Sequence, residues 1–216
     1  MTDPGNFIQA AAIYALPIIF AITFHEAAHG YVAKYFGDMT AYMQGRVSLN
    51  PVHHIDPIGT IIIPLVSLAL GGFLFGWAKP VPVNFGALRN PKKDMLWVAL
   101  AGPMSNLAMA LAWALLLKLA TLMPGNYFAS PLAIMANMGV KINIVLMMLN
   151  LLPIPPLDGG RVMVSLLPTR QAYQLAKIEP YGIIILVVLL FTGILGSVIG
   201  PLINIAIDLI LRLFGL

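Results

Sequence analysis

The chain has 216 residues, of which 60% are hydrophobic and only 9% carry a formal charge. Soluble domains carry about 25% charged residues, so this composition, with a mean hydropathy of +0.91, excludes a soluble enzyme and a disordered protein. The net charge of +4 does not indicate a nucleic-acid partner, because most basic residues lie between apolar runs, as in cytoplasmic loops of membrane proteins. The chain has no cysteine, which excludes disulfides and thiolate metal sites.

The first half of the chain contains two apolar runs. The first covers residues 7–36, and the turn-forming Gly37 and Asp38 end it. The polar stretch that follows predicts a short strand or β-hairpin at residues 42–49. The second run, residues 58–75, is interrupted by glycine and proline, which favours a re-entrant segment over a full span. A proline-rich segment over residues 76–94 then excludes a helix.

The second half contains four further apolar runs. The third covers residues 95–123, and the fourth begins near Leu132 and ends in the sequence NLLPIPPLDGG. Residues 181–199 predict a clean span, and residues 201–216 a shorter one after the Gly200–Pro201 break. Because lysine and arginine collect in cytoplasmic loops, this order places the N-terminus outside the cell and the C-terminus in the cytoplasm. The sequence thus predicts an all-α polytopic membrane protein, a bundle of about five to six transmembrane helices with a re-entrant segment and a short β-hairpin.

An H-E-x-x-H pattern lies inside the first apolar run, at His25, Glu26 and His29. Residues four apart lie on one face of a helix, so both imidazoles can bind one metal ion, with Glu26 beside them. Three ionisable groups in one membrane span are costly, and such groups are normally functional. The alternative is that they are polar groups packed between helices.

A catalytic zinc needs a third protein ligand and an open position for water. Without cysteine, the candidates are His53, His54 and an aspartate. Asp158 follows an apolar run and precedes two glycines, which suits a carboxylate held at the end of a span, although a plain turn aspartate has the same surroundings. His53 and His54 lie in a polar stretch, where a loop histidine is the alternative.

Three motifs together resemble the site-2 protease family of intramembrane zinc metalloproteases, peptidase family M50. They are FHEAAHG in the first run, AGPMSN at the start of the third, and NLLPIPPLDGGR at the end of the fourth. Their order fits the family's three-span catalytic core over residues 21–161. The segments NPVHHIDPIGT and GWAKPVPVN also resemble a small bacterial and archaeal branch without a PDZ or CBS domain. The resemblance implies one integral-membrane metalloprotease domain over residues 1–216, with its catalytic core at about 7–161 and additional C-terminal spans at about 181–216.

The resemblance implies a role for the motif residues. The ligands of one Zn²⁺ per chain are then His25, His29 and Asp158, and Glu26 is the general base on the zinc-bound water. Asn150 contacts the substrate near the scissile carbonyl, although a helix cap or an interhelical hydrogen bond would also suit it. Asn106 is expected to serve helix packing beside Gly102. His54 and Asp56 match the motif of the small branch without an assigned role, and support of a metal ligand is one interpretation of them.

The predicted activity is hydrolysis of peptide bonds within or near transmembrane helices of membrane-protein substrates, in a prokaryotic cytoplasmic membrane. The helical substrate must unwind locally, and residues 42–49 or the segment WAKPVPVNF are predicted to pair with it as an added strand. Cleavage is expected near the cytoplasmic side, because His25 lies about 18 residues into the first run. The partners are thus transmembrane substrates and the lipid bilayer, with no nucleic acid and an undetermined oligomeric state.

Two other functions fit parts of the sequence. A metal-transport or metal-binding membrane protein would use the same ligands, but it would need further ligands along several helices. An inactive protease-like scaffold would have no need of Glu26, which is intact.

Overall fold

The computed structural model of the protein describes residues 4–62 and 79–216. All regular structure within these two ranges is helical. The α-helices are α1 (Pro4–Tyr35), α2 (Thr40–Met43), α3 (Pro91–Thr121), α4 (Ala129–Asn150), α5 (Asp158–Leu166), α6 (Thr169–Ala176), α7 (Gly182–Phe191) and α8 (Ile194–Leu213). Shorter helical turns lie at Pro51–His54, Pro57–Ile62, Phe85–Ala87 and Glu179–Tyr181. Most of the predicted re-entrant segment lies outside the described residues.

Helix α1 carries the H-E-x-x-H pattern and has 32 residues. At 1.5 Å per residue it is about 48 Å long, which exceeds the ~30 Å hydrocarbon core of a bilayer. It ends where predicted, because Gly37 adopts a φ of +106°, a backbone conformation that residues with a Cβ rarely adopt. The buried Asp38 carboxylate then accepts hydrogen bonds from the backbone N–H groups of Thr40 and Asn84.

The predicted hairpin at residues 42–49 is wrong. Thr40–Met43 is a helical turn, and the residues after it have no strand partner in the described ranges. Their backbone instead lies beside the segment that starts at Lys79, since the Arg46 guanidinium donates to the carbonyls of Lys79 and Pro80. The Arg46 side chain thus donates the hydrogen bonds to these carbonyls that the backbone of a neighbouring strand would otherwise donate.

The apolar core lies where α3, α4 and α8 meet. Trp113 of α3 packs directly over Gly139 of α4, where any side chain would overlap the indole ring. Small residues at this crossing let the two helix backbones approach closely, as is usual inside membranes. Helix α3 therefore contacts α4 along much of its length, and it also packs against α1 and α5. This arrangement brings the helices that carry the three motifs together.

Four stretches of the described chain are long and apolar enough to cross a membrane: Pro91–Thr121, Ala129–Asn150, Thr169–Phe191 and Ile194–Leu213. With α1 they give five membrane-length segments in the described ranges, which agrees with the predicted five to six. The protein is therefore an all-α polytopic membrane protein.

The C-terminal boundaries differ from the prediction. The break lies at Gly193, with a φ of +74°, instead of at Gly200, and Pro201 lies inside α8. A proline within a membrane helix is tolerated where its neighbours satisfy the freed carbonyl.

The cytoplasmic location of the C-terminus stays a prediction, but the structure defines where the last residues lie along the bundle. The Lys118 ammonium, near the end of α3, donates to the carbonyl of Gly215 at 2.8 Å. The last residues therefore lie at the end of the bundle where α3 finishes, opposite the end where α3 begins.

Candidate metal centre

Three ligand-type atoms converge between α1 and the start of α5. The Nε2 atoms of His25 and His29 lie 3.1 Å apart, and Asp158 Oδ2 lies 3.2 Å from the first and 3.3 Å from the second. All three residues are buried, at 7%, 8% and 6% exposure. Within the described ranges this is the one group of three or more histidine or acidic side chains that can share a metal ion. The structure thus brings together all three predicted ligands.

The spacing of these atoms fits zinc. Protein nitrogen and oxygen ligands lie about 2.0–2.2 Å from Zn²⁺ in tetrahedral geometry, so two such ligands are about 3.3–3.5 Å apart. The three observed separations are 3.1, 3.2 and 3.3 Å, close to three edges of that tetrahedron. Its fourth corner would remain for water, as catalytic zinc sites require.

The protonation of the two imidazoles also fits a metal. His29 Nδ1 lies 2.7 Å from the carbonyl oxygen of Val98, which can only accept, so Nδ1 carries the proton and Nε2 presents a lone pair. His25 Nδ1 lies 2.6 Å from Asn106 Oδ1, which gives the same tautomer. Asp158 Oδ2 has no hydrogen-bond donor among the described residues. Three buried atoms that each present a lone pair or a negative charge repel one another unless a cation lies between them, and Zn²⁺ is such a cation.

Gly102 in the AGPMSN motif provides the space for the imidazoles. A Cβ at this position would lie 2.6 Å from His25 Nε2 and closer still to His29 Nε2. Real Cβ contacts are essentially never this short, so the backbone of α3 can pass the metal centre only without a side chain here.

Asp158 is positioned by the two glycines that follow it. The backbone of residues 151–155 folds back over the first turn of α5, where a Cβ on Gly159 would overlap the Leu151 carbonyl and one on Gly160 would overlap Pro155. The loop therefore packs closely on the first turn of α5, and the aspartate at the first position of α5 contacts the imidazoles.

Glu26 lies next to His25 in α1, and its carboxylate is held by the chain that crosses beside it. The backbone N–H of Val81 donates to Glu26 Oε2 at 2.8 Å. Arg46 fixes the same segment by binding the carbonyls of Lys79 and Pro80. Val81 also packs against Gly30, one helical turn after Glu26. The segment thus orients one oxygen of the carboxylate and leaves the other for chemistry.

The remaining predicted residues lie elsewhere. Asn150, at the end of α4, donates its amide N–H to the Leu146 carbonyl of its own helix, so this hydrogen bond does not connect it to the three ligands. The buried His54 lies 2.8 Å from the Ser48 carbonyl through Nε2, and the exposed His53 is not part of the cluster. Asp56 accepts from the backbone N–H groups of Ile58 and Gly59.

Asn106 is the residue whose role the sequence did not reveal. It was expected to serve packing, but it bonds directly to His25. Its position four residues after Gly102, on the helix face that meets the imidazoles, is the signal that could have indicated this contact.

Known proteins resemble the chain over nearly its whole length. The model of peptidase family M50 matches residues 123–193. "Putative zinc metalloprotease YwhC" of Bacillus subtilis (strain 168) is 40% identical over 203 residues, which cover 93% of this chain and 90% of that protein. "Putative zinc metalloprotease Rip2" of Mycolicibacterium smegmatis is 33% identical over 194 residues, 89% of this chain and 72% of that protein.

The protein of the same name in Mycobacterium tuberculosis (strain H37Rv) is 29% identical over 193 residues. No solved structure gives a significant match. The similarity to YwhC spans the H-E-x-x-H helix as well as the region of the family model. The chain therefore belongs to peptidase family M50 and is a zinc metalloprotease.

Proposed function

We propose that the protein is an intramembrane protease that hydrolyses peptide bonds within or near transmembrane helices of membrane-protein substrates. In this proposal His25, His29 and Asp158 hold the zinc ion and Glu26 is the general base. The observation that carries it is the buried contact of three electron-rich atoms directly beside α3, a helix long and apolar enough to cross a membrane. A soluble substrate would not reach such a site from within the bilayer, whereas a neighbouring helix would.

The position of the centre along the helices supports cleavage near one membrane surface. His29 lies less than two turns before the end of α1, and Val98, which binds it, lies about two turns after the start of α3. The basic residues Arg89, Lys92, Lys93 and Arg161 lie at this same end of the helices. Since cytoplasmic loops are enriched in such residues, the proposed cleavage is on the cytoplasmic side.

Each residue has a defined task in the hydrolysis. Zinc, when bound, supplies a Lewis acid and lowers the pKa of water toward neutrality. Glu26 accepts a proton as the water oxygen bonds to the scissile carbonyl carbon, and it returns that proton to the amide nitrogen as the C–N bond breaks. The hydrogen bond from Val81 holds the carboxylate in one orientation during both transfers. The products are one new carboxyl group and one new amine.

Two parts of the chain are proposed to contact the substrate, an extended segment and the side chain of Asn150. The segment of residues 79–84 is the candidate for pairing with the unwound substrate, because Thr40–Met43 of the other predicted segment is helical.

Asn150 lies at the end of α4, close in sequence to the loop that positions Asp158. Its bond to Leu146 lies within one helix, so its amide can turn toward a substrate carbonyl at little cost. Asn150→Ala is expected to raise KM for a model substrate without changing the bound zinc; an unchanged KM would remove Asn150 from the substrate site.

The experiment that tests the function compares the two glutamates of the chain. Purified wild type, Glu26→Gln and Glu179→Gln are assayed for bound zinc and for cleavage of a model transmembrane substrate. Loss of a general base costs about 10²–10⁴ in rate, so Glu26→Gln should lose cleavage by that factor and keep its zinc. Glu179 is half exposed and lies 3.9 Å from Arg161, so its variant should retain both. Undiminished cleavage by Glu26→Gln would overturn the assigned base.

Family membership argues against the two alternatives from the sequence. A metal transporter would need ligands along its path, and no second metal-binding group occurs in the described ranges. An inactive scaffold would not need a glutamate held by a backbone N–H beside the metal ligands. Zinc retention without any cleavage in the wild type, over a panel of transmembrane substrates, would favour the scaffold.

A further inference from the structure

A buried pair of asparagines connects α3 and α4 to one of the metal ligands. Asn106 of α3 and Asn143 of α4 are both fully buried, and neither belongs to the set of proposed ligands. Asn106 Oδ1 lies 2.6 Å from His25 Nδ1. Buried amides inside a membrane protein need all their hydrogen bonds, because no water is available to satisfy them. The partners of the pair therefore decide which way each amide faces.

The two ends of this chain of hydrogen bonds fix its direction. Asn143 Nδ2 donates to the Gly139 carbonyl at 2.8 Å, so Asn143 Oδ1 faces Asn106. Asn106 Nδ2 donates to that oxygen at 2.9 Å and to the Ala21 carbonyl at 3.2 Å. Main-chain carbonyls can only accept, so reversing the Asn106 amide would set its oxygen against two other oxygens. Only Oδ1 of Asn106 is left to face the imidazole.

This direction determines where His25 carries its proton. An amide oxygen can only accept, so His25 Nδ1 must donate, and Nε2 then has a lone pair directed at Asp158 and His29. A neutral imidazole with its proton on Nε2 cannot bind a metal through that atom. For His29 the same task falls to the backbone carbonyl of Val98, which side-chain substitution cannot remove. His25 is therefore the ligand whose tautomer depends on side chains.

We propose that Asn106 and Asn143 form a positioning relay that holds His25 in the tautomer that binds zinc and thereby sets the zinc affinity of the centre. The inference depends on the proposed assignment of His25 as a zinc ligand. Asn106 acts directly on the imidazole, and Asn143 acts by keeping the Asn106 amide from reversing. Loss of such an outer partner typically costs 10–100-fold in metal affinity.

The test measures zinc affinity by chelator competition in the full-length protein in detergent, using Asn106→Leu, Asn106→Asp and Asn143→Ala. Asn106→Leu removes the acceptor and should weaken zinc binding by about 10–100-fold. Asn106→Asp keeps an acceptor for His25 and, with its second oxygen protonated, a donor toward Asn143 Oδ1, so it should bind zinc within a few-fold of the wild type. Asn143→Ala removes one of the two oxygens that oppose reversal of the Asn106 amide and leaves the Ala21 carbonyl, so it should give an intermediate loss. Asn204→Leu, an exposed asparagine of α8, is the matched control and should change nothing.

A second readout follows the imidazole itself in the zinc-free protein. With ¹⁵N-labelled histidine, the NMR shifts of His25 should report a proton on Nδ1 in the wild type and in Asn106→Asp. In Asn106→Leu the shifts should move toward a mixture of the two tautomers. A purely structural role for Asn106 would lower the unfolding temperature without producing this change. If Asn106→Leu does not fold, the comparison of Asn106→Asp with Asn143→Ala still decides the question.

Two outcomes separate failure of the relay from failure of the metal assignment. Wild-type zinc affinity and an unchanged His25 tautomer in Asn106→Leu or in Asn143→Ala would overturn the relay. His25→Ala tests the assignment on which it depends. If His25→Ala loses zinc while the asparagine variants keep it, only the relay is wrong. If His25→Ala keeps zinc, the ligand assignment itself is wrong.

Discussion

Helices α3 and α4, which pack beside the metal centre, and the two C-terminal membrane-length segments bury very different shares of their side chains. In the apolar windows of α3 and α4, 33% of the residues are buried inside the protein, against 6% for Thr169–Phe191 and 11% for α8. The first pair buries asparagines and packs around Gly102 and Gly139, whereas α8 carries its Asp208–Arg212 ion pair at the surface. The helices beside the metal centre are thus packed closely through small residues. The C-terminal segments expose most of their side chains, which are mainly large and apolar.

This contrast predicts where substitutions should have the largest effects on stability and zinc binding. A polar group in the buried region is satisfied by specific partners, so its loss leaves each partner unpaired at a cost of about 1–3 kcal/mol. An exposed ion pair contributes about 0–1 kcal/mol. Matched residues in the two regions provide direct comparisons of these effects.

The largest expected difference is between two aspartates. Asp158→Asn replaces the carboxylate that faces both imidazoles with a neutral amide. Zinc affinity should fall by more than about 100-fold, which exceeds the loss expected for an outer partner, and cleavage should be lost with it. Asp208→Asn, in the exposed pair with Arg212, should keep wild-type zinc and stability within about 0.5 kcal/mol. Zinc analysis and thermal unfolding check both variants; equal zinc content in the two would contradict the assigned third ligand.

The second largest difference is expected between two glycine-to-alanine substitutions. Gly102→Ala places a methyl group against both imidazoles, so α3 must move away or the imidazoles must turn. Overpacking of this kind costs about 1–3 kcal/mol, and we expect reduced zinc content and at least a tenfold loss of cleavage. A methyl group added at Gly196 in α8 would have no described neighbour within 4 Å, so Gly196→Ala should be neutral or slightly stabilising because alanine favours a helix. A Gly102→Ala variant with normal zinc content would show that the centre tolerates a displaced α3.

The smallest expected effect concerns the segment beside Glu26. Val81→Pro removes the N–H that donates to Glu26 Oε2, while Val81→Ala keeps that N–H and removes most of the side chain. If the hydrogen bond orients the general base, Val81→Pro should lower kcat by roughly tenfold, a fraction of the 10²–10⁴ that a general base supplies. Its zinc content should be unchanged, and Val81→Ala should lose less. Equal kcat values for the two variants would show that side-chain packing on Gly30 matters more than the N–H.

The residues that converge in the candidate metal centre could be predicted from the sequence, because much of their geometry is local. Spacing alone places His25 and His29 on one face of a helix, and the motif around Asp158 supplied the third candidate. The boundaries of α1 and α4 also followed from apolar runs that end in glycine, proline or a charge. The exclusion of a helix over residues 76–94 was wrong at its end, because α3 begins at Pro91, where proline suits the first helical position, and Phe85–Ala87 is a helical turn. The family resemblance is confirmed by the similarity to YwhC.

Other features depend on contacts that no local pattern records. The hairpin at residues 42–49 was wrong because a side chain, Arg46, satisfies distant carbonyls in place of a strand. The Gly200–Pro201 pair looked like a helix break, yet the chain turns at Gly193. The contact between Asn106 and His25 joins residues 81 positions apart, and the donor that holds Glu26 is a backbone group, invisible in any motif.

The wide separation of the ligands along the chain has a consequence for biosynthesis. More than half of the chain separates His29 from Asp158, so the ribosome delivers the two imidazoles to the membrane long before the third ligand exists. No nascent fragment that ends before Asp158 carries the complete donor set. The proposed centre is therefore assembled late, once Asp158 reaches the two imidazoles, and until then the growing chain carries only part of the proposed donor set.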